Sequence, residues 1–345
     1  MKGLVIILFL LALAVSPAQA ALRSQTAVQA VPQQYVEVSV QPTPDPVFGT
    51  AEVDIAYRAG FNTFRVIMPW TYPGQADADN DASRICSVAA EVSKLHLTLF
   101  LDVVPANAKP PVTSPQITKY TTTLGAYMSY LISRRGCAPE LKGLVIQVAN
   151  EANYSVFWPQ ATAAEDYTHL AIRTYKAVHQ EAQKKGYTVP VQVMAGELAA
   201  SHDPVGFMDQ MHDEAQAWHF HGPFFDLFSY HCYGSGGQNL TPPDGIRTAM
   251  AADFSADQVP LLCTEYATPD PTGQQYCQLA AMAVSGRLAG YGWFRLMDDP
   301  IGDPTGLYYF DQALGKPGDS PVAKPSLRNV PAINAAAING SVSCG

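Results

Sequence analysis

Leu97-Thr98-Leu99-Phe100-Leu101-Asp102-Val103 and Gly143-Leu144-Val145-Ile146-Gln147-Val148 are the stretches that decide the fold. Both are near-continuous apolar runs, the pattern of parallel strands covered on both faces. Between them Ile117, Tyr120, Leu124, Tyr127 and Leu131 recur at helical spacing, with Gly136 as the expected residue just past the helix end. Strand, helix and strand in that order make a parallel crossover unit.

The same alternation extends in both directions. Further strands are expected at Tyr35–Val40, Thr63–Met68, Val189–Ala195, Asp226–His231, Val259–Thr264 and Gly290–Leu296, which brings the total to eight. Tyr167, Leu170, Ala171, Tyr175, Val178 and Ala182 mark a second helix, closed by Lys184, Lys185 and Gly186, and a third covers Gln274 to Leu288. Eight strand–helix units in a row predict an α/β fold, a single (β/α)8 TIM barrel over residues 35–331. A doubly wound open sheet is the alternative. It usually carries a glycine-rich nucleotide loop, and the sequence has neither GxGxxG nor GxxxxGK[ST].

The flanks read differently. Lys2 followed by the apolar run Leu4–Val15 and by Ala18-Gln19-Ala20 has the form of a secretory signal peptide over residues 1–20. Residues 21–34 and 332–345 are expected to be tails. The apolar run is too short to span a bilayer, so the reading is an exported protein, secreted or periplasmic, free of the membrane after cleavage and monomeric. Six cysteines in such a chain favour disulfides. The expected pairs are Cys86–Cys137 and Cys277–Cys344. Cys232 and Cys263, on neighbouring strands, remain open between free thiols and a bridge. With 30 acidic against 21 basic residues the chain lacks the basic footprint of a nucleic-acid or anionic-membrane partner.

A barrel of this kind builds its site at the C-terminal strand ends. Those ends carry Arg65 and Trp70 on strand two, Asp102 on strand three, Asn150 and Glu151 on strand four, and Glu197 near strand five. His231, Cys232 and Tyr233 follow on strand six, Glu265 on strand seven, and Trp293 and Arg295 on strand eight. Two carboxylates across one rim are what glycosidic bond cleavage requires, one neutral to protonate the leaving oxygen and one ionised to attack or to hold a water. Trp70, Trp158 and Trp293 all fall at or just beyond strand ends, where aromatic rings would form flat platforms for a sugar. Glu197 and Asp102 read equally well as substrate contacts or as ordinary loop carboxylates.

Four segments in order resemble the clan A glycoside hydrolases, most nearly glycoside hydrolase family 5. Gly60-Phe61-Asn62-Thr63-Phe64-Arg65 is similar to the start of that group's second strand. Asn150-Glu151 is similar to its fourth-strand ending, His231-Cys232-Tyr233 to its sixth-strand HxY, and Thr264-Glu265-Tyr266 to its seventh. Trp293, Gly306-Leu307 and Lys324-Pro325 are similar to its closing stretch. The resemblance covers residues 50 to 327. It implies that Glu151 is the general acid/base and Glu265 the nucleophile of a retaining reaction on an oligo- or polysaccharide. It further implies that Asn150 binds the sugar 2-hydroxyl, that Tyr233 orients Glu265, and that His231 and Trp293 line the cleavage subsite, with no metal and no cofactor. The sequence departs from the pattern at the end of strand three, where family 5 members often have a His and this chain has Leu101-Asp102-Val103-Val104-Pro105. A carbohydrate-binding barrel without catalysis, a transglycosylase using the same residues and a metal-dependent barrel hydrolase are the other readings.

Overall fold

The computed structural model describes residues 35–40, 46–70, 78–105, 109–233, 240–266, 273–294 and 328–344. The expected signal peptide and N-terminal tail, Arg295, Gly306-Leu307 and Lys324-Pro325 lie outside the described residues. Eight strands and eight helices alternate among those described. They are β1 Tyr35–Val40, α1 Pro46–Arg58, β2 Thr63–Trp70, α2 Ala78–Lys94, β3 Thr98–Pro105, α3 Ser114–Ile132, β4 Gly143–Val148 and α4 Ala163–Lys185. The second half comprises β5 Val191–Ala199, α5 Pro204–Ala217, β6 Leu227–His231, α6 Asp244–Phe254, β7 Leu261–Glu265, α7 Gln274–Val284, β8 Gly290–Trp293 and α8 Val330–Ile338. Each strand pairs in parallel with the next, and β8 pairs with β1, so the barrel closes. All eight expected strands are present, with ends displaced by a few residues.

The local rules are visible in the helices. α4 has Glu165 and Asp166 in its first turn and Lys184 and Lys185 in its last, matching the helix dipole, and it ends on Gly186 at φ 62°. α3 stops earlier than expected, at Ile132, so Gly136 is not its terminator. A Cβ on Gly136 would lie 2.3 Å from the Leu131 carbonyl oxygen, so this glycine is there for the tight approach of the following turn.

The expected C-terminal tail is corrected. From Val330 the chain forms α8, and Asn334 is fully buried. Its side chain accepts hydrogen bonds from Tyr276 (2.9 Å) and Tyr291 (3.2 Å) and donates to the Ala59 carbonyl (2.9 Å). Cys344 is tied to Cys277. The Ala-rich, uncharged composition resembles a tail, yet one polar side chain satisfied at three points docks it.

Strand alternation divides the interior into two regions. Outward-facing side chains pack with the helices into the main core. Inside the barrel Tyr35, Phe100, Val145, Met194, Leu227 and Leu262 form a separate apolar floor. Towards the C-terminal strand ends the buried side chains are polar: Glu37, Arg65, Asp102, Gln147, Glu197, Ser229, His231 and Thr264.

Candidate active site

Arg65 is the centre of this layer. It is fully buried and uses its whole guanidinium fork. Nε donates to Gln147 (3.0 Å), and Nη2 to Asp102 (2.7 Å), Glu197 (2.9 Å) and Asn150 (3.4 Å), while Nη1 donates to Glu265. β2, β3, β4, β5 and β7 are thus joined through one cation.

The second hub is His231. Its Nε2 lies 2.9 Å from Glu197 Oε2, and its Nδ1 lies 2.7 Å from Glu151 Oε1 and 3.3 Å from Glu265 Oε2. Tyr233 donates its hydroxyl to the same Glu265 oxygen at 2.5 Å. The structure therefore brings together Arg65, Asn150, Glu151, His231, Tyr233 and Glu265.

Local backbone geometry aims these groups. Ala149 (φ 59°) and Glu151 (φ 43°) both sit in the left-handed region flanking Asn150, a strained turn of the kind found where function demands it. Two bulges do the rest. Between β5 and β6, Ala195 pairs with Phe228 and Leu198 with Tyr230, so Gly196 and Glu197 together oppose Ser229. Gly196 has φ 102°, and a Cβ there would lie 2.2 Å from the Ser229 carbonyl; only glycine fits. Between β6 and β7, Tyr230 pairs with Cys263 and His231 with Glu265, which leaves Thr264 as the extra residue.

The charges are sorted by burial and neighbours. Burial pushes the Asp102 carboxyl up to about 8, although Arg65 opposes it. Burial likewise holds Glu37 well above the usual carboxylate range, and neither of its oxygens has a hydrogen-bond partner. Glu197 goes the other way. Burial would raise it, but Arg65 and His231 outweigh that and press it down to about 2. His231 is raised to about 10, because Glu265, then Glu151 and Glu197, overcome the effect of burial. Glu197, His231 and Glu265 have ligand atoms within 4.8 Å of one another. Arg65 bonds both of those carboxylates.

The three tryptophans are not where they were expected. Trp70 lies an odd number of positions after inward-facing Arg65, so alternation turns it outward, edge-on to Tyr120 of α3 at 5.3 Å. Trp293 pairs with outward-facing Val38 and packs on Tyr276 of α7 at 5.1 Å. Trp158 packs on Tyr167 of α4 at 5.8 Å. All three are buried at 1% exposure or less. They are core residues of the strand–helix layer, and their reading as sugar platforms is corrected. Conversely, Glu37, Gln147, Ser229 and Thr264 were overlooked. The signal for Glu37 was present: in Tyr35-Val36-Glu37-Val38-Ser39-Val40 the polar residues alternate with valines, which sets them on the lumen face.

The two expected disulfides, Cys86–Cys137 and Cys277–Cys344, are formed, and Cys232 and Cys263 form a third between β6 and β7. The third flanks the site directly, next to His231 and Tyr233 on one side and two residues before Glu265 on the other.

No family model and no curated protein matches this chain. Solved structures do. A GH5-4 broad-specificity endoglucanase from Clostridium acetobutylicum superposes with a TM-score of 0.58 at 16% identity, covering 87% of this chain and 97% of its own. A glucosidase from Croceicoccus marinus gives 0.57 at 13% identity over 88% of this chain and 67% of its own. A β-mannanase from Thermomonospora fusca gives 0.51 at 18% identity over 80% of this chain and 83% of its own. At these identities the likeness establishes the barrel fold, and these proteins are clan A glycoside hydrolases and their relatives, the group that the sequence motifs resemble.

Proposed function

We propose that this chain is a retaining glycoside hydrolase acting on a β-linked glycan, with Glu265 as nucleophile and Glu151 as general acid/base. One observation carries the reading. His231 Nδ1 touches an oxygen of each carboxylate, at 2.7 and 3.3 Å, so those oxygens are at most about 6 Å apart. That supports retention, for which the carboxyl groups stand about 5–5.5 Å apart, over inversion, which needs about 6.5–9.5 Å to admit a water between them.

Arg65 and Tyr233 hold the two oxygens of Glu265 and keep it aimed. Glu265 attacks the anomeric carbon and forms the glycosyl ester, while the Glu151 carboxyl proton passes to the departing oxygen as the glycosidic bond breaks. Glu151, now a carboxylate, takes a proton from water. That water attacks the same carbon, the ester breaks, and both carboxyl groups return to their starting states. Three disulfides fit an exported enzyme, and no described helix is long and apolar enough to cross a membrane.

The test is a panel of β-glucan, mannan, xylan and aryl β-glycosides with product lengths measured. Glu265→Gln should abolish turnover. Glu151→Ala should lower it about 10²–10⁴-fold, and azide should restore part of it as a glycosyl azide of retained configuration. Wild-type turnover in both variants would remove the assignment. Oligosaccharides that bind but stay intact after long incubation would favour a binding barrel, and lengthened products a transglycosylase.

A further inference from the structure

Glu197 takes no part in the two displacement steps, yet it is the most heavily bonded carboxylate in the barrel. It is fully buried and sits at φ 49°, behind the Gly196 bulge. Oε1 accepts from Gln147 Nε2 (2.6 Å), Ser229 Oγ (2.5 Å) and Thr264 Oγ1 (3.1 Å). Oε2 accepts from Arg65 Nη2 and His231 Nε2, each at 2.9 Å. A carboxylate offers about four lone-pair sites, and five donors leave no room for a proton of its own. His231 Nε2 therefore carries a hydrogen. Nδ1 faces Oε2 of Glu265, the attacking carboxylate, and Oε1 of Glu151, which accepts while the Glu151 acid proton sits on Oε2; Nδ1 therefore carries one too, which makes the ring an imidazolium.

We propose that Glu197 is a positioning residue whose permanent charge holds His231 as an imidazolium through both halves of the reaction. The inference rests on the roles given to Glu151 and Glu265 above. Those two change charge at every step. Glu265 becomes a neutral ester in the intermediate, and Glu151 passes from acid to carboxylate. The other groups facing the ring do not replace them. Asp102 of β3 and Glu37 of β1 are held neutral by burial, Tyr233 adds no charge, and Arg65 bonds Glu197 rather than the ring. Glu197, pressed to about 2, is the anion that persists. While it does, a cationic N–H stays 2.7 Å from Oε1 of Glu151, the group that must activate water, and donates to it. The second half of the reaction depends on it most.

Glu197→Gln and Glu197→Asp test this, the first removing the charge and the second keeping it. Histidine ¹⁵N NMR, with the His231 signal identified by its absence in His231→Asn, should show a cation beyond pH 8 in the wild type. In Glu197→Gln it should become neutral at a pH lower by about two units or more, and Glu197→Asp should lie between. With whichever 2,4-dinitrophenyl β-glycoside the wild type cleaves, Glu197→Gln should lower kcat by at least about tenfold. The variant should also show a burst and lose much less in kcat/KM, because breakdown of the ester has become the slow step. In wild-type enzyme trapped with the matching 2-deoxy-2-fluoroglycosyl fluoride, His231 should remain cationic at pH 7. That arm stands even if Glu197→Gln does not fold. A neutral His231 in the trapped enzyme would overturn the proposal. So would a folded Glu197→Gln whose His231 titrates as in the wild type, or one in which kcat and kcat/KM fall together without a burst. The NMR comparison of free proteins needs no turnover. A chain that cleaves nothing but shows the His231 shift would count against the hydrolase reading and for the hold of Glu197 on His231.

Discussion

Replacing Asp102 by Asn should make the protein relatively more stable as pH rises. Asp102 is fully buried, one of its oxygens lies 2.7 Å from Arg65 and the other has no partner. Burial raises its pKa from 3.8 to about 8. Below pH 3.8 the folded and unfolded chains both hold the proton, and the shift has no effect on stability. Between 3.8 and about 8 the folded chain keeps a proton that the unfolded chain has released, so stability falls as pH rises. Above about 8 the cost is complete, with a ceiling of about 6 kcal/mol, from roughly four units at about 1.4 kcal/mol each. Asn carries no such cost and can still accept from Arg65. Groups that do not face Asp102 titrate alike in both proteins and cancel in the difference. The assay is a series of thermal melts of wild type and Asp102→Asn from pH 4 to pH 9. If only a third of the ceiling appears, the Tm difference should move in favour of the variant by about 4 °C, at about 2 °C per kcal/mol for a chain of this size. A difference that is flat, or that moves against the variant with rising pH, would mean that Asp102 is an ionised partner of Arg65 and that the burial argument is wrong.

Two structural substitutions follow from the same frame. Gly196→Ala sets a Cβ 2.2 Å from the Ser229 carbonyl at φ 102°, so it should cost at least about 2 kcal/mol and abolish turnover of an aryl glycoside by re-aiming Glu197; wild-type melting and rate would show that the bulge is dispensable. Asn334→Ala leaves the hydroxyls of Tyr276 and Tyr291 and the Ala59 carbonyl without their buried partner, which should cost about 2–4 kcal/mol in a denaturant melt; an unchanged midpoint would make residues 330–338 a tail after all.

The barrel was legible because its signal repeats. Leu97–Val103 and Gly143–Val148 are apolar on both faces, and only a strand between two layers reads that way. The motif residues Arg65, Asn150, Glu151, His231, Tyr233 and Glu265 were legible because each directly ends or adjoins such a run. The tryptophans were misplaced because nearness to a rim says nothing about which way a side chain points. Period-two alternation from Arg65 would have turned Trp70 outward. Glu197 stayed ambiguous for the opposite reason. A bulge inserts one residue and inverts the alternation beyond it, and Gly196 was its only trace in the sequence. α8 was missed because its docking depends on Asn334 meeting two tyrosines distant in sequence.

The buried charges of the lumen balance as a set. Among the described residues the upper lumen holds five carboxyl groups, Glu37, Asp102, Glu151, Glu197 and Glu265, against two cations, Arg65 and His231. Unbalanced charge cannot be kept in so dry a space. Burial leaves Glu37 and Asp102 neutral and Glu197 ionised. With one proton between Glu151 and Glu265, two anions face two cations. The balance is the same whichever of the two holds that proton. A protonated Asp102 supplies an oxygen for Arg65 Nη2 and adds no charge. Charge balance therefore asks for one proton on the pair, the motif resemblance alone says which carboxyl holds it, and Asp102→Asn and Glu197→Gln probe the two halves of that balance independently.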